Sequence, residues 1–120
     1  MFSAFDNMQA RRDMFTNWLN QPNPGIFIDG RLAAETFQIF CVTPDKAEEY
    51  DKTLFDDSEV DDAPCTAKQT SHMAAMIAAQ MVGYYTNWVA NKESGMDVRA
   101  VPFFSEYALA LDYVNHEYKL

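Results

Sequence analysis

Two short segments combine residue types that could do chemistry, and each lies where a helix is predicted to begin. The first runs from Asp6 to Arg11 and follows a short apolar stretch, as when a strand is followed by a helix. A carboxylate at the carboxyl end of a strand lies where open α/β sheets bind ligands, and it could hold a metal ion on a polyphosphate. Aspartate is also a common helix N-cap, so a structural role for Asp6 is the competing interpretation.

The second segment places Cys65 just before the longest predicted helix, with Lys68 close behind it. The helix dipole and the lysine would lower the pKa of the thiol and favour a nucleophilic thiolate. The five carboxylates of residues 56–62 would raise the pKa instead. By chemistry alone, a reactive cysteine and a bystander are both open. Cys41 lies inside an apolar stretch and is predicted to be a core residue.

Composition narrows the class of protein. Eighteen acidic residues against nine basic ones give a net charge of -9, which repels phosphate backbones and anionic lipid headgroups. Nucleic acid and membrane surfaces are therefore disfavoured as partners. With 48% hydrophobic residues, the 120-residue chain can bury one core, and we expect a single domain over residues 1–120. The sequence shows neither a secretory signal nor an apolar stretch of membrane length, so we expect a cytoplasmic location.

Other common site patterns are missing from the sequence. It contains no CxxC pair, and His72 and His116 lack the spacing of a metal-binding pair. It also contains neither a GxGxxG loop nor a P-loop for phosphates. The residue types alone therefore indicate two candidate sites, at Asp6 and at Cys65.

The elements that position these segments follow from hydrophobic periodicity and chain breakers. Asp6 would cap a helix over residues 7–20, which the prolines and glycine of residues 21–25 would end. Two strands, 26–28 and 36–42, would join through Gly30, and a short surface helix would cover residues 44–52.

The second half of the chain is predicted from its charge and its apolar runs. Residues 56–62 repel one another and predict a solvated, mobile loop. Residues 68–91 are apolar on nearly all sides, which predicts a buried helix whose Gly83 permits close approach to a neighbour. One or two strands would follow within residues 98–111, and the chain after Tyr113 would be a tail.

Taken in this order, the parts resemble the ThiF family, which adenylates ubiquitin-like proteins and the sulfur carriers of thiamin and molybdopterin synthesis. The resemblance covers nearly the whole chain. It rests on DNxxxR from Asp6 to Arg11, on Ile28-Asp29-Gly30-Arg31 before the second strand, and on Pro64-Cys65-Thr66 before the long helix.

The resemblance implies an α/β fold: the C-terminal half of a Rossmann-like adenylation domain, with a mixed sheet and a long buried helix. It implies ATP and Mg²⁺ as cofactors. Asp6 would coordinate the magnesium ion, and Arg11, the second cofactor-site residue, would orient Asp6 or pack the helix. Cys65 would attack the acyl-adenylate to form a thioester, and residues 56–67 would form the mobile crossover loop before it.

The family's N-terminal half, with its glycine-rich nucleotide loop, has no counterpart among these residues. We therefore expect a fragment, a split gene product or a degenerate member that is inactive alone. Its expected partners are the missing half or a second copy of the chain, together with the carrier protein whose C-terminus is activated. The competing interpretation is a non-catalytic interaction module derived from the same fold.

Overall fold

The structure, a computed structural model, describes residues 1–4, 7–54 and 71–118. Its fold is mixed α/β, with one five-stranded mixed sheet and one long helix, which confirms the predicted class. In chain order the elements are β1 (Phe2–Ser3), α1 (Met8–Leu19), β2 (Phe27–Ala33), β3 (Thr36–Val42), α2 (Ala47–Asp51), α3 (Ser71–Ser94), β4 (Phe104–Ala108) and β5 (Tyr113–Glu117). Within the described ranges, no helix has both the length and the apolar character needed to cross a bilayer.

The strands lie in the sheet in the order in which they occur along the chain. β1 pairs in parallel with β2, with Ser3 opposite Asp29. The remaining neighbours pair antiparallel, so that Asp29 of β2 lies opposite Phe40 of β3. β1 and β5 are therefore the two edges of the described sheet.

The N-cap of helix α1 is one residue later in the sequence than predicted. Asn7 has an extended backbone, and its side-chain oxygen accepts a hydrogen bond from the amide of Ala10 at 2.7 Å. This is the geometry of an N-cap bonded to the third helical residue. The prediction that Asp6 caps the helix is therefore wrong, since the adjacent Asn7 does so.

Gly30 lies inside β2, so the prediction that the strands join at this glycine is wrong. The chain turns at Ala34 and Glu35 instead, and Ala34 has a φ of 52°. A Cβ atom on Gly30 would lie 2.5 Å from Sδ of Met81, on α3. The glycine allows the helix to approach the strand closely. In sequence, a glycine needed for close packing cannot be told from a glycine that marks a turn.

Helices cover both faces of the sheet, and each face has its own core. On one face α3 packs against a cluster of mainly aliphatic residues; the buried members are Ile26, Ile28, Phe37, Ile39, Cys41, Met73, Ile77, Met81 and Tyr84. On the other face α1 and α2 enclose a mainly aromatic cluster; its members are Phe15, Trp18, Phe27, Phe40, Val42, Ala47, Tyr50 and Phe103. The alternation of side chains along β2 and β3 divides the two sets.

Helix α3 buries only one side, so the prediction of a helix buried all round is wrong. Its buried residues follow helical spacing: Met73, Ile77, Met81, Tyr84 and Asn91. The opposite side is exposed, with Val82 at 56% exposure and open space around Gly83. Alanine is apolar but small, so it is tolerated on an exposed helix surface as well as in a core. The alanine content of this helix therefore does not decide which sides are buried.

Two shorter segments also differ from prediction. Tyr113–Glu117 is a strand paired with β4, whereas the sequence predicted a tail after Tyr113. The segment 44–52 is helical as predicted, but it is not only a surface element, because Tyr50 is fully buried.

Candidate functional site

A buried carboxylate lies at the centre of a polar cluster on the α1 side of the sheet. Asp29 of β2 is completely buried and accepts three charge-assisted hydrogen bonds. Arg11 donates from Nε at 2.7 Å, Arg31 from Nε at 2.9 Å, and the Tyr50 hydroxyl at 2.7 Å. The donors come from α1, β2 and α2, so this one carboxylate joins three elements.

Local sequence explains how the cluster forms. Phe27, Asp29 and Arg31 alternate along β2 and therefore point to the same face. Arg31 continues outward: its Nη2 donates to the Thr53 hydroxyl at 2.9 Å, and its guanidinium lies 4.5 Å from the centre of the Phe40 ring. The stacking and the fixed fork of hydrogen bonds hold this side chain in one geometry.

The electrostatics of the cluster favour a neutral Tyr50. Two guanidinium groups bond to the two oxygens of Asp29. Burial, followed by the adjacent charge of Asp29, raises the pKa of the Tyr50 hydroxyl. The hydroxyl therefore keeps its proton and remains a donor at neutral pH.

Arg11, predicted as a cofactor-site residue, is 5% exposed. Besides its bond to Asp29, its Nη2 lies 3.5 Å from the carbonyl oxygen of Gly30. These contacts fasten α1 to β2, in line with the packing role that was one of the two expected for this residue. The other role, orienting Asp6, concerns a residue outside the described ranges.

Asp6, Cys65 and the predicted crossover loop of residues 56–67 all lie outside the described residues. The elements beside them are described, and their directions can be compared. Along α1, Arg11 contacts Gly30, and Trp18 donates from Nε1 to the Pro24 carbonyl at 2.6 Å. Helix α1 therefore runs opposite to β2, and its first turn lies toward the carboxyl ends of β1 and β2.

Helix α3 has the same direction on the other face of the sheet. Its Ile77 and Met81 lie against Gly30, whereas Trp88 lies beside Gly25, 3.2 Å from where a Cβ atom on that glycine would be. The described start of α3 therefore also lies toward the carboxyl end of β2. The chain next to Asp6 and the chain that follows the Cys65 segment thus come to the same end of the sheet, on opposite faces.

Cys41 does not belong to a reactive site. It lies in the aliphatic core and is 4% exposed, as its apolar surroundings in sequence predicted. Burial raises the pKa of its thiol from 9.0 to about 12, so it stays protonated at neutral pH.

The described residues fit Mg²⁺ and ATP only in part. In residues 1–4, 7–54 and 71–118, no three His, Cys, Asp or Glu side chains are placed to hold a metal ion. The first turn of α1 contains no acidic residue, and its backbone amides face this end of the sheet, where the positive end of the helix dipole favours an anion. These residues fit an anion at a helix terminus, but they do not form a complete triphosphate site.

Sequence reasoning did not identify the Asp29 cluster as a unit. The available signal was an aspartate and an arginine, two positions apart, in an otherwise apolar strand, since buried charges need partners. The third element, α2, gave no signal, because Tyr50 lies in a charged segment that looks exposed. Neither the family models nor the curated proteins against which the chain was compared gave a match.

Proposed function

We propose that this chain is the C-terminal half of a Rossmann-like, ThiF-type adenylation domain. In its complete form the domain would use ATP to adenylate the C-terminus of a ubiquitin-like or sulfur-carrier protein in the cytoplasm. One observation carries the proposal: the starts of α1 and α3 lie at the carboxyl end of β1 and β2, on opposite faces of the sheet.

This arrangement suits an anionic ligand. Helix N-termini present unpaired amides and a partial positive charge, and open α/β sheets bind ligands at the carboxyl ends of their strands. Asp6 stands one residue before the cap of α1, and Cys65 stands six residues before the described start of α3. Both candidate residues therefore belong to chain segments that lead to this end of the sheet.

The residues would divide the work in the following way. Asp6 would hold the magnesium ion, which neutralises phosphate charge when it is bound. Arg11 would act on Asp6 indirectly, because its ion pair with Asp29 fixes the first turns of α1 against β2. Cys65 would provide the thiol that receives the activated carrier.

The phosphate-binding groups must come from another polypeptide segment, because these 120 residues contain no glycine-rich loop. β1 is an edge strand that pairs with β2 only, among the described strands. Its free side offers unpaired backbone groups to which further parallel strands could bond. A second copy of the chain is the other partner that could cover this edge.

A non-catalytic interaction module remains the alternative, and one observation favours it. The exposed side of α3 carries large apolar side chains, with Met76 and Tyr85 each 39% exposed. Such a surface would serve a domain that has kept its sheet for binding and lost the chemistry.

The proposal can be tested by NMR titration of the chain with Mg²⁺-ATP. We expect weak binding, with a dissociation constant above about 1 mM, and amide shifts limited to Asn7–Ala10 and the start of α3. Asp6→Asn should remove the dependence of these shifts on magnesium. Shifts spread over β4 and β5, or an unchanged response in the Asp6→Asn variant, would contradict the proposal.

Catalysis requires the complementary half, so a second experiment supplies it. ATP–pyrophosphate exchange should appear only when an N-terminal ThiF half is added to the chain. Cys65→Ala should then retain exchange but lose any thiol-sensitive conjugate of the carrier. Exchange by the isolated chain would overturn the assignment of the phosphate site to another segment.

A further inference from the structure

We propose a second binding site: a cationic cleft at the opposite end of the sheet, which binds an acidic peptide segment of a partner protein. Among the described residues, the lining of the cleft does not include Arg11 or the starts of α1 and α3, on which the adenylation proposal rests. Its existence therefore does not depend on the adenylation proposal, and either can fail without the other.

The cleft is a cavity of about 770 Å³ between the last turns of α3, the end of β3 and the segment that leads into β4. Its apolar lining includes Trp88, Val101 and Phe103. A shallower hollow of about 480 Å³ shares Thr43, Trp88 and Lys92 with it and extends toward Gly25. The volume is typical of ligand sites, and the extension suits an elongated occupant.

The distribution of positive charge distinguishes this cleft from the rest of the surface. Four of the basic residues in the described ranges form ion pairs: Arg11, Arg12, Arg31 and Lys52. The other three, Lys46, Lys92 and Arg99, have no carboxylate within 4.0 Å among the described residues, and all three line the cleft. In a chain of net charge -9, the cations of the described residues that have no carboxylate partner are thus gathered in one place.

One acidic residue, Asp97, also lines the cleft. It forms no ion pair with these three cations under the same distance limit, among the residues described. The described lining therefore has more positive than negative charges, and these charges surround an apolar floor.

The cleft is also pre-formed. The Asn91 side chain bonds to both backbone groups of Arg99, donating to its carbonyl and accepting from its amide, each at 3.0 Å. Asn87 donates to the carbonyl of Ala100 at 2.9 Å. Helix α3 therefore holds the loop that carries Arg99. On the helix itself, Nζ of Lys92 lies 4.7 Å from the centre of the Trp88 ring, which keeps the ammonium beside the apolar floor.

The arrangement favours an acidic peptide over other anions. The three cations come from three separate segments around an apolar floor, so they suit a ligand that carries several carboxylates and apolar side chains along its length. A single phosphate is held best by donors that converge on one point. A nucleic acid would bring many more charges toward a chain whose net charge repels them.

The test uses end-blocked six-residue peptides that alternate leucine with glutamate, glutamine or lysine. Calorimetry at low salt should give a dissociation constant below about 1 mM for the glutamate peptide only. Fluorescence should report the same event through Trp88, because the other tryptophan, Trp18, is only 1% exposed. Added salt should weaken binding, as exposed ion pairs are screened.

Single substitutions then locate the site. Lys46→Gln, Lys92→Gln and Arg99→Gln should each weaken binding by about two- to fivefold, as expected for exposed ion pairs. Lys52→Gln is the matched control, since this lysine is exposed and lies outside the cleft. Thermal unfolding should be nearly unchanged in all four variants, which separates a loss of binding from a loss of folding.

Several outcomes would overturn the proposal. One is equal binding of the glutamate and lysine peptides, and another is equal weakening by Lys52→Gln and the three cleft variants. Tighter binding of inorganic phosphate or of a short single-stranded DNA than of the glutamate peptide would assign the cleft to a different ligand class.

Discussion

The two faces of the sheet are stabilised in different ways. On the α1 side, aromatic rings surround a buried carboxylate with two arginines and a tyrosine bonded to it. On the α3 side, aliphatic and methionine side chains pack without a charged group among the buried members of the cluster. The first face depends on directional bonds that fix one geometry, whereas the second depends on shape and apolar area.

The difference indicates which face could tolerate change. Methionine has several rotatable bonds and adapts to irregular space, so α3 could shift slightly on the sheet at low cost. Helix α1 cannot, because moving it would break the bonds of a buried ion cluster. In the proposed function, the metal-binding residue Asp6 stands just before α1 in sequence, so we expect the helix on the rigid face to be the one that positions it.

The largest effect should come from removing the carboxylate at the centre of the rigid face. Asp29→Ala leaves the buried Arg11 and the partly buried Arg31 without their partner carboxylate and should lower the free energy of unfolding by about 3–5 kcal/mol. Urea denaturation monitored by circular dichroism measures it. The control is Arg12→Ala, because the Arg12–Asp51 pair is exposed and spans 3.9 Å, and its loss should cost less than about 1 kcal/mol.

If the Asp29 variant does not fold, Tyr50→Phe tests the contribution of the same cluster to stability with a smaller expected loss. It removes one hydrogen bond to a charged group, which typically contributes about 1.5–3 kcal/mol. Equal stability of Tyr50→Phe and the wild-type chain would show that α2 is not held by this cluster.

The adaptable face can be tested with two glycines, one inside the interface between β2 and α3 and one on the exposed side of α3. Gly30→Ala puts a Cβ against Sδ of Met81 and should lower the free energy of unfolding by about 1–3 kcal/mol. Gly83→Ala is the matched control: its Cβ meets open space within a helix, so stability should rise by up to about 1 kcal/mol. Thermal melts of both variants measure the effects. If Met81 simply moves aside and Gly30→Ala has wild-type stability, the contact is looser than its geometry indicates.

A smaller effect separates the cap of α1 from the proposed metal ligand. Asn7→Ala removes the side-chain bond to the Ala10 amide and should cost about 1 kcal/mol. Asp6→Asn should leave stability nearly unchanged, because Asn7 already caps the helix. A loss of stability in the Asp6 variant equal to that of Asn7→Ala would give Asp6 a structural role.

These residues also show what could be read from the sequence. The mixed α/β class, α1, β3 and the long helix followed from periodicity and chain breakers, because those signals are local. The Asp29 cluster joins α1, β2 and α2, and the partners from the two helices, Arg11 and Tyr50, lie 18 and 21 residues from Asp29 in sequence. No local pattern encodes such a pairing.

The same limit explains the wrong predictions at Gly30 and along α3. In both cases the surroundings in three dimensions decided the outcome. Met81 lies beside Gly30, and nothing lies beside Gly83. Asp6 and Cys65 remain predictions, since they rest on residue type and order alone.

The smallest predicted effect concerns the pH dependence of the α3 face. Burial raises the pKa of Cys41 from 9.0 to about 12, so the folded state keeps a proton that the unfolded state releases above pH 9. The stability contributed by the neutral thiol is fully present below that pH and is lost progressively as the pH rises toward 12. At pH 9.5 the loss relative to pH 7 should be about 0.8 kcal/mol. Comparing urea denaturation of the wild-type chain and Cys41→Ala at both pH values isolates it, because every other titrating group is common to the two proteins. The difference in stability between them should narrow by that amount at pH 9.5. A constant difference would mean that Cys41 reaches solvent in the folded chain, and that the α3 face opens more readily than its packing suggests.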